Sequence, residues 1–159
     1  GSTYWYAVRA LGANDSKSRR TIAQSFAYNS VSCATDASIT NITPKGNQCT
    51  LSSSTNIQVT VSNIGTNVLN NLTVNYTVKK ADNSVVHTGS ANIASLNPSA
   101  TQNISFTADL GKVNENYTIE ATVTAAGDAN TANNTLSATT FNAGVNVSLT
   151  QDGSKIVAT

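Results

Sequence analysis

Three segments of this 159-residue chain alternate apolar and polar residues. They are residues 56–64, 71–79 and 116–125. A period of two with one apolar face is the pattern of a β-strand that packs on a core and faces water on its other side. Weaker alternation occurs at residues 36–43, 84–91, 101–108 and 133–141. The sequence therefore predicts an all-β fold with seven short strands, at the spacing typical of a sandwich.

Each end of the chain carries a further short alternating stretch outside those seven strands. Residues 4–10 alternate, a turn follows at 12–15, and 20–26 is extended again. Near the C-terminus residues 145–149 alternate before a turn at 152–153. Because an isolated hairpin is only marginally stable in water, we interpret these ends as parts of neighbouring β-domains in a longer string of domains.

The composition excludes several classes of function. Charged residues make up 11% of the chain and the formal net charge is +1, which gives no electrostatic footprint for nucleic acid or an anionic membrane. No apolar run approaches the roughly 20 residues that a membrane-spanning helix needs. His87 is the single histidine, and we expect it to be a solvated strand residue. With so few ligands and nucleophiles, the sequence predicts no zinc site, no cofactor and no enzymatic activity within these residues.

The central region carries a recognisable set of residues. The set includes Cys33 and Cys49, the segment 36–42 between them, residues 57–65, and the loop Gly127-Asp128-Ala129-Asn130. With these residues, positions 33–142 resemble the CARDB-like (cell-adhesion-related) modules of large secreted and surface proteins of Bacteroidetes. The resemblance implies an immunoglobulin-like, seven-stranded antiparallel sandwich, with extra β-hairpins at both ends.

The flanking regions add to this resemblance. Tyr4-Trp5-Tyr6-Ala7-Val8-Arg9-Ala10 with Arg19-Arg20 makes residues 1–32 resemble the last two strands of a fibronectin type III domain. Residues 143–159 are similar to the start of a further immunoglobulin-like repeat. Proteins of this layout are commonly exported by the type IX system, so the resemblance implies a secreted or cell-surface location. The implied partners are neighbouring β-domains of the same chain and surface proteins or polysaccharides.

Cys33 and Cys49 are the two cysteines of the chain. In an exported β-protein, which the resemblance implies, two cysteines favour a disulfide. Such a bond would close a loop of about 16 residues, worth roughly 3 kcal/mol in the chain-entropy account of disulfide stabilisation. Two free thiols are the alternative.

The loop 127–134 gathers several side-chain oxygens. Asp and Asn build turns through side-chain-to-backbone hydrogen bonds, and turn formation is the preferred interpretation. The alternative is a calcium site at Asp128 and Asn130, completed by Asp109 or Asp36. Calcium usually takes six to eight oxygen ligands with several carboxylates, and this loop supplies one carboxylate.

Three functions compete for this sequence. The leading hypothesis is a non-catalytic immunoglobulin-like module that serves as a spacer or adhesion element in a large bacterial surface or secreted protein. One alternative is an accessory C-terminal domain of a secreted subtilisin-like protease. The other is a carbohydrate-binding module that uses Tyr4, Trp5 and Tyr6. Since Trp5 points to the opposite face from the two tyrosines, packing against a core or a neighbouring domain is the preferred role of these aromatics.

Overall fold

The computed structural model describes residues 33–145 in full, together with the backbones of the strands at 2–6, 24–28, 149–152 and 155–158. Contacts divide the chain into two compact units, residues 1–32 and 33–159. In the first unit β1 (Ser2–Tyr6) pairs antiparallel with β2 (Gln24–Tyr28). The pairing shows two antiparallel strands near the N-terminal end, with other bounds than the predicted 4–10 and 20–26, and the predicted turn at 12–15 lies outside the described residues. The assignment of these strands to a fibronectin domain stays a prediction.

The second unit contains the predicted sandwich strands. They are β3 (Ala37–Thr43), β4 (Gly46–Gln48), β5 (Thr55–Asn63), β6 (Leu69–Lys80), β7 (Val85–Leu96), β8 (Thr101–Ala108), β9 (Glu115–Thr124) and β10 (Thr135–Asn142). A 3-10 helix at Thr131–Asn133 precedes β10, and the hairpin of β11 (Leu149–Asp152) and β12 (Lys155–Ala158) follows it. The all-β class is confirmed. β4 adds one strand to the seven that were predicted.

Two sheets form the sandwich. One has three strands in the order β3-β5-β8, and the other has five in the order β4-β10-β9-β6-β7. Neighbouring strands run antiparallel, except that β4 pairs with β10 in parallel. The chain passes from the first sheet to the second between β3 and β4, at Pro44. Proline has no backbone N–H to donate, so the β-ladder is interrupted where the chain changes sheets.

The core lies between the sheets and is filled by the side chains of each strand that face the other sheet. In β5 the buried apolar residues are Ile57, Val59 and Val61, and β9 buries alternate residues from Tyr117 to Val123. These are the apolar positions of the alternating segments, so the prediction of which face of each strand is buried is confirmed. Full burial of a Val, Leu or Ile side chain contributes roughly 1.5–3 kcal/mol, which makes this layer the main source of stability.

An aromatic stack closes one side of the sandwich, where β7 and β8 are the edge strands. Tyr76 of β6 and Phe106 of β8 lie with ring centroids 3.8 Å apart and an interplanar angle of 11°. His87 of β7 stacks on both rings, at 5.8 Å from Tyr76 and 5.6 Å from Phe106. The expectation of a solvated His87 is therefore corrected, because its ring is half-buried in this stack.

Candidate functional site

Buried asparagines close both ends of the sandwich. Asn63, at the end of β5, is 1% exposed, and its Nδ2 donates to the carbonyls of Asn67 and Leu96, each at 2.8 Å. At the opposite end Asn142 Nδ2 donates to the carbonyl of Leu110 at 2.8 Å. Since buried polar groups are stable only when they are hydrogen-bonded, these amides hold loops in place and are not free to bind a ligand.

The two cysteines lie at opposite ends of the sandwich. Cys33 precedes β3, which begins beside the start of β10, whereas Cys49 follows β4, which ends beside Asn142 at the end of β10. The eight residues of β10 span roughly 25 Å at about 3.3 Å per residue, far beyond the Cα separation of about 7 Å that a disulfide tolerates. The predicted Cys33–Cys49 disulfide is corrected accordingly, and both cysteines are free.

The loop between β9 and β10 packs on the start of β3 through Asp128. Its Oδ2 accepts a hydrogen bond from the backbone N–H of Ala37 at 3.2 Å, and its Oδ1 accepts one from the N–H of Asn130 at 3.0 Å. The second bond is that of an Asx turn, in which a carboxylate bonds to the backbone two residues on. Asp128 therefore shapes its own loop and ties that loop to the other sheet.

A second carboxylate lies beside this contact. Asp36 is 5% exposed, and its Oδ1 accepts a hydrogen bond from Asn133 Nδ2 at 2.9 Å. The Oδ1 atoms of Asn133 and Asn134 are buried and have no hydrogen-bond partner among the described residues. We call the side chains of Asp36, Asp128, Asn133 and Asn134 the Asp36–Asp128 cluster.

Asp109 is not part of this cluster. It follows β8, at the opposite end of the three-stranded sheet, where its Oδ1 accepts a hydrogen bond from the N–H of Gly111 at 2.9 Å. Asn130 contributes its backbone N–H to Asp128. Of the four residues that the sequence offered for calcium, the structure brings Asp36 and Asp128 to one place and excludes Asp109.

No group of three His, Cys, Asp or Glu side chains lies together within the described part of the chain. Two surface clefts, of about 500 and 430 Å³, lie beside Val113 and beside Thr73, and neither is lined by a carboxylate, a histidine or a basic side chain. Among the described residues there is also no helix long and apolar enough to cross a membrane.

Tyr4, Trp5 and Tyr6 lie in β1, in the unit formed by residues 1–32. Their side chains fall outside the described residues. A stacking platform for sugar rings at these positions stays a prediction.

Comparisons with known proteins agree with the architecture. No protein family model matches the chain, and no curated protein matches it. Among solved structures, the CARDB domain of a Pyrococcus furiosus protein, in complex with di-metal ions, is 18% identical at a TM-score of 0.53. That match covers 72% of this chain and 94% of the other.

A second solved structure extends the comparison. A domain of a protein assigned to the cell surface of Methanosarcina acetivorans is 26% identical at a TM-score of 0.52. That match covers 68% of this chain and 91% of the other. Together these similarities show the fold: the sandwich of this chain has the architecture of a CARDB domain, and its structural neighbours include a domain of a surface protein.

Proposed function

We propose that residues 33–145 form a non-catalytic, CARDB-type spacer module of a secreted or cell-surface protein. The observation that carries the proposal is that the chain enters and leaves the sandwich at opposite ends. At the first end the carbonyl of Ala34 accepts hydrogen bonds from the backbone N–H groups of Thr66 and Asn67. At the other end the N–H of Ala143 donates to the carbonyl of Gln48 at 2.9 Å.

This layout suits a unit in a linear array. The first strand, β3, and the last strand, β10, each run from the Asp36 end of the sandwich toward the Asn142 end. One module therefore advances the chain by about the length of a strand, roughly 25 Å for eight residues. A domain whose termini lay side by side would add bulk to an array without adding reach.

The outer face of the five-stranded sheet is covered mainly by uncharged polar side chains, which suits a spacer. Hydroxyl and amide side chains pair across neighbouring strands there, with Thr73 Oγ1 at 3.2 Å from Asn92 Oδ1 and Thr122 Oγ1 at 2.8 Å from Thr135 Oγ1. Such cross-strand pairs each contribute about 0.2–1 kcal/mol. The face is polar and carries little charge, in keeping with the low charged fraction of the sequence.

The strand pairing at the exit would share any tension applied along the array. β4 and β10 pair in parallel through Thr140↔Gly46, Phe141↔Asn47 and Asn142↔Gln48. Because the inter-strand hydrogen bonds lie across the strands, a force along the strands loads several bonds together instead of opening them one at a time.

Single-molecule stretching of the full chain between its two termini tests the proposal. We expect one cooperative step that releases roughly 110 residues, or about 400 Å of extended chain. A Gln48→Pro variant, which removes a backbone donor from β4, should keep the step length and lower the force. Gradual extension without such a step would contradict a spacer that bears load.

No described contact favours the protease-accessory or carbohydrate-binding alternatives, and both stay predictions. The Bacteroidetes origin and the type IX export route stay predictions as well.

A further inference from the structure

We propose that β8 pairs edge to edge with β8 of a second copy of this chain, so that two three-stranded sheets join into one continuous antiparallel sheet. The inference goes beyond the spacer role and does not depend on it. It rests on three features of β8 and its sheet: a regular free edge, an absence of charge, and a strand sequence that is complementary to itself about Ser105.

The first feature is the free edge. β8 is an outer strand of the three-stranded sheet, and among the described strands only β5 pairs with it. The eight residues of β8 pair with β5 without a register shift, and they include no proline and no charged residue. An edge of this kind presents a row of backbone donors and acceptors on which another strand can pair.

The other outer strands have features that discourage such pairing. The register of β3 on β5 shifts between Ile39 and Asn41, and the register of β7 on β6 shifts between Val78 and Lys79. β4 has three residues and leaves β10 free only along 135–139. Breaks in the ladder and short outer strands are means by which β-proteins block edge-to-edge association. β8 is therefore the edge that the described fold leaves open.

The hydrogen bonds to β5 show which residues of β8 face outward. The N–H of Asn63 donates to the carbonyl of Ala100 at 3.0 Å, in the register of the β5–β8 pair. Because hydrogen-bonded positions alternate along an antiparallel ladder, the bonds to β5 fall on the even-numbered residues of β8. The residues that turn their N–H and C=O groups to the free edge are therefore the odd-numbered Thr101, Asn103, Ser105 and Thr107.

The second feature is the absence of charge from the whole sheet. None of the strands β3, β5 and β8 contains Lys, Arg, Asp or Glu. In the five-stranded sheet, by contrast, β6 includes Lys79 and Lys80, and β9 includes Glu115 and Glu120. Around a two-fold axis a residue on the axis meets its own copy, so a charged edge repels itself. The uncharged sheet avoids that repulsion.

The third feature selects a second copy as the partner. In an antiparallel pair, two residues that lie directly opposite both face the partner with their backbone groups or both face away. Two identical strands therefore pair odd-numbered residues with odd and even-numbered residues with even. A two-fold axis at Ser105 satisfies this condition, and it places Asn103 opposite Thr107 and Ile104 opposite Phe106.

This register matches like surfaces on both faces of the strand. Ile104 and Phe106 are half-buried against the core, so that across the axis each would cover the exposed part of the other. They fall on positions without inter-strand hydrogen bonds, where opposite side chains lie closest. On the outer face, exposed Asn103 meets exposed Thr107. An axis at Ile104 would place Phe106 opposite the polar Gln102 instead.

Sedimentation equilibrium of the full chain under reducing conditions tests the inference. We expect a reversible monomer–dimer equilibrium between about 10 µM and 1 mM protein, because a contact of one strand pair is small and weak. Ser105→Lys places two ammonium groups opposite each other at the axis and should raise the dissociation constant of the dimer at least about fivefold at low ionic strength. The matched control Asn75→Lys adds the same charge to an exposed position of the central strand β6 and should leave that constant unchanged.

Cross-linking locates the axis. In a chain with Cys33→Ser and Cys49→Ser, adding Ser105→Cys should give a disulfide-linked dimer on exposure to an oxidant. The Cα atoms of an opposite, hydrogen-bonded residue pair lie about 5.5 Å apart, which is within disulfide range. Ser90→Cys in the same background, at an exposed position of the outer strand β7, should not give that dimer.

A chain that stays monomeric at about 1 mM, or a dimer that Ser105→Lys leaves intact, would overturn the inference. Cross-linking through Ser90→Cys and not through Ser105→Cys would place the contact on β7 and overturn the assignment to β8. Ser105 is exposed, so Ser105→Lys should leave the core unchanged. Should that variant fail to fold, the cross-linking pattern decides on its own.

Discussion

At the scale of single residues, Tyr117 fixes the corner between β8 and β9. Its ring is 1% exposed, and its hydroxyl accepts a hydrogen bond from the backbone N–H of Lys112 at 3.2 Å. A tyrosine near the start of this strand that bonds backbone a few residues upstream is a feature of immunoglobulin-like sandwiches. Burial raises the pKa of Tyr117 above its ordinary value.

The raised pKa of Tyr117 gives a prediction about stability at alkaline pH. A group whose pKa is higher in the folded state contributes stability that is complete below its unfolded value, near 10, and is lost as pH rises through the folded value. We expect Tyr117→Phe to lose about 1 kcal/mol at neutral pH and to lessen the fall in unfolding free energy above about pH 10.

Denaturant unfolding at several pH values measures both effects. Tyr76→Phe is the matched control, since it removes a phenol that makes no hydrogen bond to the described residues, and it should keep the alkaline fall. An undiminished fall in Tyr117→Phe would show that the buried phenol is not its cause.

Some residue roles could be predicted from the sequence and others could not. Asn63 lies where the alternation of residues 56–64 ends and the predicted turn begins, so the sequence pattern predicts neither its burial nor the carbonyls that it bonds. The predicted turn chemistry at Asp128 involves a neighbour two residues away. The contact between Asn133 and Asp36 joins residues 97 positions apart, and nothing local in the sequence indicates it.

At the scale of elements, the aromatic stack joins the two sheets where both end in edge strands. Phe106 is half-buried in β8 and lies face to face with Tyr76 of β6. We expect Phe106→Ala to cost about 2–3 kcal/mol of unfolding free energy, somewhat less than a fully buried phenylalanine, because both the burial and the stacking are lost.

A second Phe→Ala variant, outside the stack, separates the stability lost with the aromatic stack from the stability lost with burial alone. Phe141, also half-buried, lies in β10 outside the stack, and Phe141→Ala should cost less in the same denaturant measurement. Combining Phe106→Ala with Tyr76→Ala should cost less than the sum of the two single changes, because they remove the same contact. Additive costs would show that the rings do not stabilise each other.

The strand boundaries show which parts of the fold the alternating pattern predicts and which parts it misses. The seven predicted strands were found because each buries one face, which sets a period of two. β4 was missed because three residues cannot display that period. β7 runs to Leu96, beyond the predicted end at residue 91, because its final residues pair with β6 through Leu69↔Leu96 and Leu72↔Ile93. Pairing of that kind depends on a distant strand.

At the scale of the whole molecule, the sequence context predicted a disulfide and the topology prevents it. An exported β-protein with two cysteines favours a bond, but the chain changes sheets at Pro44 and continues along β4. That path carries Cys49 to the far end of the sandwich from Cys33. The distance between the two cysteines depends on the order of the strands in the sheets. That order is set by pairing between distant segments, which no local sequence pattern encodes.

The separation of those two native thiols tests most directly whether the chain enters and leaves the sandwich at opposite ends. Both cysteines should accept spin labels without prior reduction, and pulsed electron paramagnetic resonance should give a distance centred at roughly 25 Å or more. Singly labelled Cys33→Ser and Cys49→Ser chains, which should show no dipolar modulation, are the controls. Thiols that react only after reduction, or a label separation below about 10 Å, would contradict this arrangement.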